Sequence, residues 1–123
     1  MKKFVIIVED EQSIAKLIKE ELKSLDIEIE IVLNGSIAIE KIKSHKPDLI
    51  LLDLLLPGKP GLEILKEVRE SKDLKHIPVI ILSNFNDPSH IDPAFKLGIS
   101  DYLIKVDHTL EEVVSAVKKV LES

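Results

Sequence analysis

The sequence predicts an α/β fold, a doubly wound five-stranded parallel sheet with helices on both faces. Three observations predict it. Short apolar runs alternate with helical periodicity five times along the chain. Most of those runs are continuous rather than alternating, as strands buried on both faces must be. The chain has 123 residues, 45% of them hydrophobic. That suffices for one domain, which buries roughly two thirds of its surface without needing a disulfide or a structural metal.

The first run is Phe4–Val8, stopped by Glu9. A helical pattern follows, with Ile14, Leu17, Ile18, Leu22 and Leu25 on one face. The second run, Ile27–Leu33, places Ile27, Ile29 and Ile31 in alternation with Glu28 and Glu30. Its polarity suits an edge strand. A helix is expected over Ser36–His45, a strand over Leu49–Leu52, a helix over Gly61–Glu70 and a strand over Pro78–Leu82. Asp87-Pro88 and Asp92-Pro93 each read as a helix cap followed by a first-turn proline. A proline inside a helix loses a hydrogen bond and clashes with the preceding turn, roughly 3 kcal/mol. The fourth helix is therefore expected to be short, starting near Pro93 after a loop. Tyr102–Ile104 forms the fifth strand. Leu110, Val113, Val114, Val117 and Leu121 mark the last helix. Five βα units of this length suggest the flavodoxin-like strand order 2-1-3-4-5.

Composition removes several function classes. There are 17 basic and 22 acidic residues, a net charge of −5. That excess argues against direct nucleic-acid binding. The four aromatic residues, Phe4, Phe85, Phe95 and Tyr102, are too few for a base-stacking platform. Without cysteine there is no disulfide, zinc-thiolate site, iron–sulfur cluster or thiol nucleophile. No stretch approaches the roughly 20 apolar residues of a membrane span, and Phe4–Val8 is too short for a signal peptide. No membrane role and a cytoplasmic location are expected.

Ligands in open α/β sheets bind beyond the carboxyl ends of the strands. There the chain places Glu9-Asp10-Glu11 after strand 1, Asp53 after strand 3, Ser83-Asn84 after strand 4 and Lys105 after strand 5. Acids after a strand ordinarily cap the next helix, a lone serine there is ordinarily a turn residue, and a lone lysine is ordinarily solvated. Asp53 differs, because it interrupts Leu49–Leu56, where an ionised carboxylate is costly unless paired or metal-bound. Adjacent carboxylates repel one another unless a cation lies between them. A hard divalent ion such as Mg²⁺ suits oxygen ligands and keeps waters that a phosphate can replace. With Lys105 and Ser83 beside it, the set matches the needs of an in-flight phosphoryl group. Asp53 is the natural nucleophile, forming an acyl phosphate, and being already ionised it needs no base. The four histidines, His45, His76, His90 and His108, show no ligand spacing and read as surface residues.

These residues carry a resemblance. The segments Val8-Glu9-Asp10-Glu11, Asn34-Gly35, Pro47-Asp48 through Asp53, Pro57-Gly58 with Gly61, Ile80-Ile81-Leu82-Ser83 and Leu97-Gly98 through Lys105 occur in order. Along its whole length the chain resembles the receiver domain of two-component response regulators, of the single-domain chemotaxis-regulator kind. The resemblance implies that Asp53 is the phosphoacceptor for a histidine kinase or phosphotransfer protein. It implies that Glu9, Asp10, Asp53 and the backbone carbonyl of Leu55 hold Mg²⁺. By the same token Ser83 turns toward the phosphoryl group, Lys105 pairs with it, and Tyr102 changes rotamer on activation. Leu55, Asn84 and Phe85 would modulate the site. The face of helix 4, strand 5 and helix 5 would bind an output protein, and a homodimer is compatible with it. Residues 1–123 would form one receiver domain with no room for an output domain, whether a stand-alone protein or an excised piece.

The sequence also departs from the family pattern. Glu9 replaces the commoner Asp. Asn84 stands where a small residue is usual, and is expected to crowd or hydrogen-bond the phosphoryl group and alter its lifetime. Val106 replaces a proline that usually follows a cis peptide. A non-proline cis bond costs roughly 2.5–4 kcal/mol, so trans is expected. These departures keep a second reading open, a constitutive interaction module that is never phosphorylated. An enzyme acting on an external metabolite is not expected. A flavin binder needs a phosphate loop where this chain carries Glu9-Asp10-Glu11, and an aspartyl-phosphate hydrolase needs an Asp-x-Asp that is missing.

Overall fold

A computed structural model describes residues 2–123. The strands are β1 (Lys3–Val8), β2 (Ile27–Val32), β3 (Leu49–Leu52), β4 (Val79–Ser83) and β5 (Asp101–Ile104). The helices are α1 (Gln12–Leu22), α2 (Gly35–His45), α3 (Gly61–Glu70), α4 (Pro88–Leu97) and α5 (Leu110–Leu121). The strands form one sheet in the order β2-β1-β3-β4-β5, every pairing parallel. The predicted fold and strand order are therefore found, with strand ends within a residue of those expected.

The alternating direction of side chains along a strand builds two cores. Ile6, Val8, Ile50, Leu52, Val79 and Ile81 face one way and pack with Ala38 and Ile42 of α2, Ile64, Leu65 and Val68 of α3, and Ala94 of α4. Val5, Ile7, Leu49, Leu51, Ile80, Leu82 and Leu103 face the other way, against Ile18 and Leu22 of α1 and Val113 and Val117 of α5. Every residue of β3 and β4 is buried. Edge strand β2 is only partly covered until Val32, which explains why its glutamates are tolerated.

Helix starts follow local chemistry. Asn34 Oδ1 accepts the Ser36 N–H at 2.6 Å and caps α2. Thr109 and Glu112 form a reciprocal capping box at the start of α5. The placement of α3 needs a glycine, because a Cβ at Gly61 would lie 2.3 Å from the Asp53 carbonyl oxygen.

Three expectations need correction. First, α4 begins at Pro88 and runs through Pro93 to Leu97, rather than starting near Pro93. The first turn is held by groups outside the helical ladder. Asp87 accepts a hydrogen bond from Ser89 Oγ and lies 2.7 Å from His90 Nδ1, and the His90 ring stacks on Phe85 at 3.8 Å between centroids. Ala94 anchors the next turn in the core. With these contacts in place the helix forms in spite of the hydrogen bond and the steric clash that Pro93 costs it. Second, His90 and His108 are half-buried rather than surface residues. His90 lies against Phe85, and His108 Nδ1 lies 3.0 Å from both the nitrogen and the oxygen of Ile104. Third, Leu17 is 55% exposed. Successive helical residues lie about 100° apart, and Ile18 takes the inward position. Leu25 falls in a short 3₁₀ turn after α1, Lys23–Leu25.

Candidate functional site

Register brings the polar strand ends together. Val8 pairs with Leu52, and Asp53 N–H donates to the Val8 carbonyl at 2.9 Å, so Glu9 and Asp53 leave the sheet side by side. On the other flank Ser83 pairs with Ile104, and Lys105 N–H donates to the Ser83 carbonyl at 2.9 Å. Asp10, Glu11, Asp53, Leu55, Ser83, Asn84, Phe85 and Lys105 line one cleft of about 270 Å³ at this rim. Glu9 does not line the cleft but is joined to it through Lys105; it is 2% exposed, with Asp53 at 5% and Ser83 at 1%.

The centre of the site is an ionic triangle. Lys105 Nζ lies 2.5 Å from Glu9 Oε1 and 2.9 Å from Asp53 Oδ2. The free oxygens are held by backbone, since Glu11 N–H donates to Glu9 Oε2 at 3.1 Å and Leu55 N–H donates to Asp53 Oδ1 at 3.2 Å. Burial pushes the Glu9 carboxyl above the usual carboxylate range, against the opposing pull of Lys105. Burial also disfavours the Lys105 ammonium, yet its bonds to Glu9 and Asp53 prevail and hold its pKa above the ordinary lysine value.

A divalent cation fits this donor set. Glu9, Asp10 and Asp53 each offer a carboxylate oxygen, and the three oxygens lie within 4.8 Å of one another. Three carboxylates face one ammonium, an excess of negative charge that a hard cation with oxygen ligands would neutralise.

Ser83 Oγ accepts the Phe85 N–H at 3.2 Å. Tyr102 lies on β5 outside the cleft. Its hydroxyl donates to the Phe85 carbonyl at 2.6 Å, and its ring lies 6.5 Å from Phe95 of α4. Burial raises the phenol pKa.

The predicted residues Glu9, Asp10, Asp53, Leu55, Ser83, Asn84, Phe85 and Lys105 are thus brought together, with Tyr102 one hydrogen bond away. Asn84 lines the cleft as well. Its Oδ1 accepts the Val106 N–H at 3.1 Å, so its amide oxygen is directed at the β5–α5 turn. No cis peptide bond occurs among the described residues, and the Lys105–Val106 bond is trans as expected. Sequence reasoning missed His90, whose ring backs Phe85 at the cleft edge. The available signal was the Asp87–His90 spacing of three residues across a helix start.

Comparison with known proteins agrees with this geometry. The model of the response regulator receiver domain matches residues 5–118. The response regulator ArlR of Staphylococcus saprophyticus is 34% identical over 117 residues, covering 95% of this chain and 51% of ArlR. The chain therefore spans about half the length of that relative. Response regulator Rcp1 of Synechocystis is 35% identical over 112 residues, covering 84% of this chain and 76% of Rcp1. A crystal structure of the Mn(2+)-bound form of response regulator Rcp1 superposes with a TM-score of 0.82 at 31% identity, covering 96% of this chain and 91% of that one. A putative response regulator from Chloroflexus aurantiacus superposes over the full length of both chains with a TM-score of 0.90 at 29% identity.

Proposed function

The chain belongs to the response regulator receiver family, and from that premise we propose that it is a phosphoacceptor switch with Asp53 as the phosphorylated residue. The observation that carries the proposal is the Asp53 carboxylate itself. It is buried at a strand end, paired with Lys105 and within ligand reach of two further carboxylates.

The transfer follows from the charges. An Asp53 oxygen attacks the phosphorus of a phosphohistidine. The P–O bond forms as the P–N bond breaks, and the bond's electrons leave with the imidazole, which takes a proton from solvent. Asp53 needs no base because it attacks as the carboxylate. Lys105 is released from part of its pairing with Asp53 and follows the charge onto the phosphoryl oxygens. The Ser83 hydroxyl donates to another of them. Glu9, Asp10, Asp53 and the Leu55 carbonyl would hold Mg²⁺, which when bound neutralises phosphoryl charge as transfer proceeds. The Mn(2+)-bound form of Rcp1 supports a divalent cation here.

The reaction adds negative charge and acceptor oxygens at the rim. Ser83 moving toward them takes its Oγ from the Phe85 N–H. Phe85 also bears the carbonyl that holds Tyr102, so the change reaches β5 and the α4 face. In this reading the donor is a histidine kinase or phosphotransfer protein, and the output partner docks on α4, β5 and α5. Residues 1–123 act as one receiver unit, and no external metabolite is turned over.

Incubation with Mg²⁺ and acetyl phosphate, followed by intact mass measurement, tests this. One phosphoryl group is expected on the wild type and none on Asp53→Asn. No gain with acetyl phosphate or phosphoramidate would favour a constitutive interaction module.

A further inference from the structure

Two of the chain's unusual residues touch each other. Asn84 ends the β4 edge of the cleft, and Val106 follows Lys105. Their contact is a hydrogen bond from the Val106 N–H to Asn84 Oδ1 at 3.1 Å. The N–H just before it, that of Lys105, donates to the Ser83 carbonyl at 2.9 Å. Consecutive N–H groups of the β5–α5 turn are thus held by consecutive residues of the β4 end. The second bond exists only because residue 106 is not proline, which has no N–H to give.

We propose that Asn84 is a positioning residue for Lys105, acting through the Val106 N–H. This rests on the phosphoacceptor reading of Asp53. The two bonds hold the peptide planes on either side of Lys105, Ile104–Lys105 and Lys105–Val106, and with them the direction in which the Lys105 side chain leaves the backbone. The side chain then needs little further ordering to bring Nζ to 2.5 Å from Glu9 and 2.9 Å from Asp53. Val106 is itself 77% exposed, so packing does not hold the turn at this point. Asn84 and Val106 are one device: each would be of little use here without the other.

The consequence is a specific pattern of coupling. In Asn84→Ala the turn keeps its internal bonds to Ile104 but loses one of its two ties to the end of β4, and phosphorylation of Asp53 by acetyl phosphate is expected to slow roughly fivefold, equivalent to about 1 kcal/mol. In a Val106→Pro background the N–H is gone, so Asn84→Ala is expected to change the rate no further. An equal loss in both backgrounds would mean that Asn84 acts on the phosphoryl group directly, and would overturn the proposal.

A second measurement needs neither phosphorylation nor the proline variant. Amide hydrogen exchange at Val106, read by NMR, is expected to be protected in the wild type and roughly fivefold faster in Asn84→Ala. Asn84→Asp keeps an acceptor at the same place and is expected to restore protection, which a merely bulky role for Asn84 would not require. Equal exchange in wild type and Asn84→Ala refutes the inference while leaving the function of Asp53 untouched. A wild type that takes up no phosphoryl group, with Val106 still protected by Asn84, refutes the functional reading instead.

Discussion

In Lys105→Ala the ammonium between Glu9 and Asp53 is gone. The two carboxylates it bridges have side chains only 3% and 6% exposed, so water reaches them poorly. Two like charges about 4 Å apart at an effective dielectric of 20 repel by about 4 kcal/mol. Removing one partner of a buried ion pair costs about 3–5 kcal/mol in comparable settings. The space left by the lysine stem admits some water, which places the expected loss near 3 kcal/mol. For a domain of this size that is about 10 °C in Tm.

The pH dependence separates this mechanism from lost packing. Burial already holds the Glu9 carboxyl high, and Lys105 opposes that rise. In the variant the opposition disappears and Glu9 binds its proton still more tightly in the folded state. A carboxyl whose folded pKa exceeds its unfolded value makes the fold less stable as pH rises through that window. The cost of Lys105→Ala is therefore expected to be large at pH 7 and to shrink toward pH 5. The wild type gains from a lysine whose pKa is raised. That contribution is full below the ordinary lysine pKa and is lost only as alkaline pH passes the raised value. Mg²⁺ is expected to restore part of the variant's stability, because a cation bound only by the folded chain stabilises it by mass action. Urea denaturation at pH 5 and pH 7, with EDTA and with millimolar Mg²⁺, reads all of this. A cost equal at both pH values and indifferent to Mg²⁺ would refute the electrostatic account and assign the loss to the lysine's aliphatic stem.

Substitutions at three other positions test the frame around the site. The Arg69 guanidinium donates to the carbonyls of Leu97, Gly98, Lys75 and Ile77 at 2.7–3.1 Å, tying the end of α4 to the turn before β4, and burial lowers its pKa. Arg69→Ala is expected to lose about 2 kcal/mol in urea denaturation; Arg69→Lys should recover little, because an ammonium cannot fork among four carbonyls, and full recovery would argue against the clamp. Gly61→Ala would set a Cβ 2.3 Å from the Asp53 oxygen and 2.6 Å from Leu54 Cα, so about 2 kcal/mol of stability and much of the phosphorylation rate should go together. Gly98→Ala is the control, since its Cβ meets only Arg69 Nε at 3.7 Å and the cost, about 1 kcal/mol, is the strain of φ +91°; equal phosphorylation defects in the two variants would contradict the placement argument.

The parts of the molecule readable in the sequence are those governed by one residue at a time or by a fixed period. Buried strands appear as apolar runs because both faces of β3 and β4 lie under helices. Asp53 stands out because a charge within such a run has no cheap structural explanation. The start of α4 was hidden for the opposite reason. Proline's cost is read from one residue type, while the Phe85–His90 stack and the Asp87 contacts depend on the geometry of the first turn, of which only the Asp87–His90 spacing shows in the sequence. Leu17 was misplaced because a helical pattern tolerates two adjacent inward candidates, and only the position of the sheet decides between them.

Asn84 and Val106 show the same limit at the site itself. Read singly, each is a defect: an amide where a small side chain belongs, and a residue without the ring that would constrain its turn. The two positions are 22 apart in sequence, and nothing in the period of either element connects them. Parallel pairing of β4 with β5 does, because it sets Ser83 against Ile104 and so brings the next residues of both strands into reach. One position then supplies a free N–H and the other an acceptor for it. A tolerance that looks like drift at either residue becomes a constraint on the pair. Replacing either one alone should therefore harm the Lys105 geometry more than their separate departures from the family pattern suggest.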